Sequence, residues 1–285
     1  MSGLKTIKRR IRSVQSTQQI TRVMKMVAAA KLKRAQENII AARPYALRLR
    51  QVIRELSTRV DRSHHPLLQV HETEEIGIIV VTGDRGLCGS FNTSIIRRGQ
   101  KLIADDKKHT IRLVTVGRRG TDFFARRGHE ITHRMSGFFN NLEFAHAIDL
   151  GNEIIERYIA NDLDRVLVVY NEFKSAIQQN VVVEQLLPIE PDPADEHAIT
   201  ADMIYEPSED MILDAILPLY VKVQLWRILL ESYAAEMGAR MTAMESATDN
   251  AQELIDSLTL TYNKVRQAAI TGEILEVVSG AEGLQ

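Results

Sequence analysis

Residues 4–56 contain no glycine, and apolar side chains recur through them at helical spacing; a matching run closes the chain. In the first run Ile7, Ile11, Val14, Thr21, Met24 and Ala28 trace one stripe at steps of three, four and seven, with Lys, Arg and Gln opposite. The spacing predicts a helix over Leu4–Leu56, ~80 Å long at helical rise. Pro44 is its one breaker, with a kink expected near Ile40 to Ala42. A helix of that length cannot bury its stripe against a small core and needs a second long helix. The closing run supplies one. From about Ser208, Ile212, Ile216, Leu219, Val223, Trp226, Leu230, Tyr233 and Met237 alternate steps of four and three. After one extra four-step the seam resumes through Met241, Met244, Thr248, Ala251, Ile255, Leu258, Tyr262, Val265 and Ala269. This is a heptad seam with a single stutter. Continuous to Val278 it would reach ~105 Å, with a kink or a fresh helix start expected at Pro218. An all-helical globule is the competing explanation, and sheer helix length weighs against it.

Between the helical ends the pattern changes. Glu75 to Gly83, Ile111 to Gly117, Arg165 to Tyr170 and Val181 to Leu187 are apolar, β-branched runs of strand length. Helical stretches near Thr93–Ala104, Gly120–Arg127 and Leu142–Ile159 separate the first three from their neighbours, and the last two are close enough for a hairpin. Strand and helix in alternation imply a mainly parallel sheet with helices on its faces. The expected fold is an α/β, Rossmann-like domain inserted between two long helices that form an antiparallel coiled coil. The expected divisions are an N-terminal helix over 1–60, a connector over 61–73, the α/β domain over 74–190, a second connector over 191–207, and a C-terminal helix over 208–285.

Charge separates the two ends. Residues 1–59 carry fifteen Lys or Arg against Glu37 and Glu55, whereas residues 208–285 carry twelve acids against five bases. Such a split implies mutual pairing or a basic surface aimed at an acidic partner. Nucleic acid is the natural rival partner, but no aromatic residues interleave with the charges and no zipper-plus-basic-region layout is present. The loop Gly83-Asp-Arg-Gly-Leu-Cys-Gly89 follows the first strand, where doubly wound sheets bind phosphates. It lacks both G-x-G-x-x-G and G-K-[ST], and Asp84 places negative charge where an anion would sit. The better expectation is a glycine-shaped turn exposing Arg85 and Cys88 to a partner. Cys88 is the only cysteine, which excludes an internal disulfide and makes a reducing compartment the simplest reading. His64, His65, His71, His129, His133 and His146 show no metal-ligand spacing. No catalytic residues, cofactor or metal are therefore expected. The longest apolar run, Ile76 to Val81, falls far short of the roughly 20 residues of a membrane span.

Three stretches carry a resemblance. Ile20 to Leu32, Arg240 to Ala251, and Tyr262 to Glu273 with Gly280-Ala281 resemble the first-helix and carboxyl-terminal signatures of F-type ATP synthase gamma subunits, and the Gly83–Gly89 loop is similar to that family's middle domain. The likeness spans essentially the whole chain. It implies a rotor shaft without a catalytic site of its own, standing inside a ring of three alpha and three beta subunits. The foot, with the epsilon subunit, would rest on the c-subunit ring. It further implies a chain that is not a homo-oligomer, is not bound to nucleic acid, and lies peripherally on the cytoplasmic face of a bacterial cell membrane. By motif position, Arg240 and Gln267 would contact the beta catch loop, and Met24 and Lys25 would face the beta levers. Ile274, Leu275, Val277 and Val278 would form an apolar bearing tip, and Tyr205 would lie at the foot near the c ring and epsilon.

Overall fold

The structure, a computed structural model, describes residues 2–59, 65–72, 74–190 and 209–282. Two long helices dominate the fold: α1, Ser2–Arg59, and α5, Glu209–Glu282. Pro44 lies inside α1 and Pro218 inside α5, and neither ends its helix. Of the kink or fresh start expected at Pro218, the fresh start does not occur: the described part of α5 runs from Glu209 through it. A proline removes one backbone hydrogen bond, but Leu213, Leu217 and Val221 on both sides of Pro218 are buried in the core and hold the helix through it. The chain divides into two compact units, residues 1–28 with 240–285, and residues 29–239.

Within residues 29–239 lies a five-stranded sheet: β1 Glu75–Val81, β2 Thr110–Val116, β3 Ile131–Met135, β4 Arg165–Phe173 and β5 Gln179–Leu187. Its order is β3-β2-β1-β4-β5, and only β5 runs antiparallel, as the hairpin partner of β4. Three shorter helices accompany it: α2 Phe91–Asp105, α3 Arg118–Arg126 and α4 Phe144–Ile159. β3 is the strand that the apolar-run reading passes over. It is an edge strand reading Ile-Thr-His-Arg-Met and is nowhere fully buried, so nothing in its environment selects for a continuous apolar run.

Alternation along β1 divides the core. Ile76, Ile78 and Val80 pack on one face with Phe91, Ile95 and Ile96 of α2 and Phe124 of α3. Ile79 and Val81 pack on the other with Leu150, Ile154 and Tyr158 of α4 and Leu213, Leu217, Val221 and Leu225 of α5. On this second face α5 is covered on more than its heptad seam, because the sheet and α4 meet flanks that a two-helix coil would leave wet. Gly151 permits the close approach of α4 to α5: a Cβ there would lie 2.7 Å from Lys222 Cγ.

Candidate functional site

Residues 2–28 of α1 and 240–282 of α5 form the helical unit. Gln18 donates to Gln252 (2.9 Å), the Thr21 and Thr248 hydroxyls meet at 2.8 Å, and Lys25 pairs with Glu245 at 2.6 Å. The α1 number rises as its α5 partner's falls, so the helices run antiparallel. Thr21, Ala28, Met244, Ala251 and Ile255 are the buried seam, mostly small or β-branched residues that let the backbones approach. Lys5, Lys8, Arg9, Arg10, Arg12 and Arg22 point to solvent.

A second apolar stripe runs along α1 outside the seam. Ile20, Val23, Met26 and Val27 are each at least half exposed, on the side of α1 facing away from Thr21 and Ala28. Its signal is present in the sequence as the 20, 23, 27 spacing, masked by the stronger seam running through the same turns. Four exposed apolar residues on consecutive turns are a surface that a partner would cover.

Met24 is half-buried beside the seam, and Lys25 is committed to Glu245. Arg240 is only 9% exposed, whereas Gln267 is exposed, its carbonyl accepting the Thr271 hydroxyl (2.9 Å). Arg240 and Gln267 sit on one continuous helix, and their 27-residue separation places them ~40 Å apart at helical rise. Arg240 lies within two turns of Glu245, at the height of Met24 and Lys25. Continuing the pairing brings the start of α1 opposite about position 268 of α5. Beyond it Ile270, Ile274 and Leu275 are about half exposed or more. The side chains of Val277 and Val278, and all of Tyr205, lie outside the described residues.

The loop after β1 corrects one expectation. Arg85 is exposed but Cys88 is 2% exposed. Leu87 (φ 63°) and Gly89 (φ 56°) adopt left-handed backbone, which turns Leu87 outward and Cys88 inward against Phe91 and Ile95. The Cys88 thiol donates to the Arg85 carbonyl (3.8 Å) and accepts from Asn92 Nδ2 (3.2 Å). Cys88 is a floor residue, and Leu87 is what the turn presents.

Strand order reverses at β1, so a phosphate-binding crevice would open between the carboxyl ends of β1 and β4. Asp84 turns toward the other side of β1, accepting the backbone N–H of Arg118 after β2 (3.0 Å) and of Gly137 after β3 (2.9 Å) and capping the start of α3 as an anion would. Other protein groups occupy the crevice itself. Asn92 Oδ1 accepts from Gly83 N (2.8 Å), and Asn171 donates to the Phe91 carbonyl (3.3 Å). The buried Glu236 carboxylate lies so close to Gly83 that a Cβ there would fall 2.8 Å from its Cδ. Asn92, Asn171 and Glu236 leave no open phosphate cradle at the switch point.

Beside that crevice the surface is cationic. Arg85, Arg97, Arg98, Arg118, Arg119, Arg126 and Arg127 are exposed. Arg119, Arg126 and Arg127 border a groove of about 390 Å³ with Leu87, Cys88 and Phe123, and Arg127 stacks 3.7 Å from the Phe123 ring centre. Arg119 reaches back over Gly86, a juxtaposition of loop and α3 that spacing along the chain does not disclose. Among the described residues no helix is long and apolar enough to cross a membrane.

Known proteins resemble this arrangement throughout. The family model described as ATP synthase matches residues 3–284. The ATP synthase gamma chain of Chloroherpeton thalassium is 46% identical over 301 residues, covering 100% of this chain and 99% of that one. Those of Chlorobium phaeobacteroides (47% over 291 residues) and a Geobacter species (45% over 287) are covered completely on both sides. The fold matches a chain of the Euglena gracilis mitochondrial ATP synthase with a TM-score of 0.73 at 20% identity, over 99% of this chain and 95% of that one. It matches a chain of the Tetrahymena thermophila central stalk and c-ring at 0.61 and 24% identity, over 80% and 99%. The chain belongs to the ATP synthase gamma chain family.

Proposed function

We propose that the chain is the central-stalk rotor shaft of an F-type ATP synthase, passing torque between a membrane c ring and catalytic beta subunits while performing no chemistry itself. One observation carries the reading furthest. The antiparallel pair satisfies its own seam, leaves a second apolar stripe and a row of cations facing outward, and ends in a half-exposed apolar stretch of α5. An apolar tip turns within a hydrophobic sleeve without breaking fixed hydrogen bonds. A single asymmetric shaft cannot contact three identical subunits equally, and only such differential contact shifts a conformational equilibrium.

Met24, Lys25 and Arg240, at one height, then face the acidic beta levers, and Gln267, ~40 Å further along α5, faces the catch loop. Within the α/β unit, Arg85 and the arginines of α3 offer a basic surface to acidic partner segments. The foot meets epsilon and the c ring, and the complex lies on the cytoplasmic face of a bacterial membrane with this chain bound peripherally. Nothing in the α/β unit favours the rival nucleotide-binding reading, since Asn92, Asn171 and Glu236 fill the crevice it would use. In an assembled complex, Arg240→Ala is expected to impair coupled ATP synthesis while assembly persists. Unchanged synthesis would remove Arg240 from the torque path.

A further inference from the structure

A half-buried ionic cluster joins α5 to the β4–β5 hairpin and has no part in the surfaces described above. Arg227 on α5 donates through Nη2 to Glu184 of β5, through Nη1 to the Tyr170 hydroxyl of β4 (3.0 Å) and to Glu231 (3.3 Å), and through Nε to Gln224 (2.9 Å). Tyr170 in turn donates to the second Glu184 oxygen (2.9 Å). Both oxygens of Glu184 are thereby satisfied. Glu231 is served poorly. Its Oε1 has only the longest of the Arg227 contacts, and its Oε2 is buried with no hydrogen-bond partner among the described residues. Glu172 on β4 adds negative charge nearby, itself paired with Lys174 at 2.7 Å. One half-buried cation thus faces two carboxylates, of which Glu231 is the more deeply covered. An uncompensated charge in that setting is costly, and a carboxyl group escapes the cost by holding a proton.

We propose that Glu231 is the proton-binding member of a clamp made by Arg227, Glu184 and Tyr170, and that the junction between α5 and the β4–β5 hairpin tightens when Glu231 is protonated and loosens when it ionises. Burial pushes the Glu231 carboxyl above the ordinary carboxylate range, and Glu172 and Glu184 reinforce that push against the pull of Arg227. The folded chain then holds a proton that the unfolded chain has released. By linkage, its stability falls as pH rises from the ordinary glutamate range through the raised folded value.

Thermal unfolding of the full-length chain, at constant ionic strength from pH 5 to pH 9, tests this without any ATP synthase assay, so its failure leaves the rotor reading untouched. The wild-type melting temperature should fall by several degrees across the range. Glu231→Gln, which keeps shape and one donor but cannot ionise, should flatten that decline and melt higher at pH 8.5. A Glu231→Gln profile parallel to wild type overturns the proposal. Should the variant not fold, carbon-13 NMR of the wild-type chain labelled at glutamate carboxyls decides: one carboxyl titrating well above the others is expected, and all titrating together below pH 5 refutes it.

Discussion

Val23→Asp and Ile255→Ala separate the outward face of the helical unit from its seam. Val23 is 53% exposed, so less than half its surface is covered within the chain. Full burial of a valine side chain stabilises by about 1.5–3 kcal/mol, which leaves roughly 1 kcal/mol at stake. Valine and aspartate also have similar helix propensities. Ile255 is 8% exposed. Removing a buried isoleucine costs about 2–5 kcal/mol, and a two-helix seam with few layers around it belongs near ~2 kcal/mol. Circular dichroism at 222 nm on the isolated chain should therefore show a shift of a few degrees at most for Val23→Asp and a clearly larger one for Ile255→Ala. In the assembled complex the order reverses. Val23→Asp places a charge on the apolar stripe that a partner would cover, so ATP-driven proton pumping should fall relative to ATP hydrolysis, whereas Ile255→Ala leaves the outward face intact. Equal melting losses would mean that Val23 does not face outward. Unaltered pumping per ATP in Val23→Asp would mean that no partner bears on this stripe.

Gly117→Ala should cost more than ~3 kcal/mol and lower the yield of folded chain, because Gly117 sits at φ 89° and a Cβ there would lie 2.0 Å from the Thr82 carbonyl oxygen; wild-type stability in that variant would refute the packing of β1 against the start of α3. Cys88 should react with a thiol reagent orders of magnitude more slowly in the native chain than in denaturant, and similar rates would mean that the Gly83–Gly89 turn opens. Burial holds the His65 imidazole below its usual value despite Asp214, so the unfolded chain takes up the proton first and the fold loses stability as pH drops through the range below about 6.5; His65→Gln, which can still accept from Leu67 N–H, should lessen that acid-side loss.

Much of this architecture is legible in the residues themselves. Both long helices, and the antiparallel sense that follows from an intervening domain, are written in seams kept over many turns, because a two-helix coil has no other way to bury apolar surface. The central strands are equally plain, since both faces of β1 and β4 are covered and demand unbroken β-branched runs. β3 escaped because an edge strand is free to carry Thr132, His133 and Arg134. The turn Gly83–Gly89 was recognised as a turn, but which side chain it presents depends on left-handed backbone at Leu87, and spacing alone gives Cys88 and Leu87 equal claims. Glu236 in the phosphate crevice and the Arg227 cluster are tertiary facts: each joins residues tens of positions apart, and no local pattern announces them.

The rotor reading is tested most directly by watching the chain turn. With the catalytic ring fixed to a surface and a bead tethered to this chain through Lys108→Cys, at an exposed loop position, ATP should drive one-way rotation with three equivalent pauses per turn. A bead that stays still or only jitters while ATP is hydrolysed at full rate would contradict it.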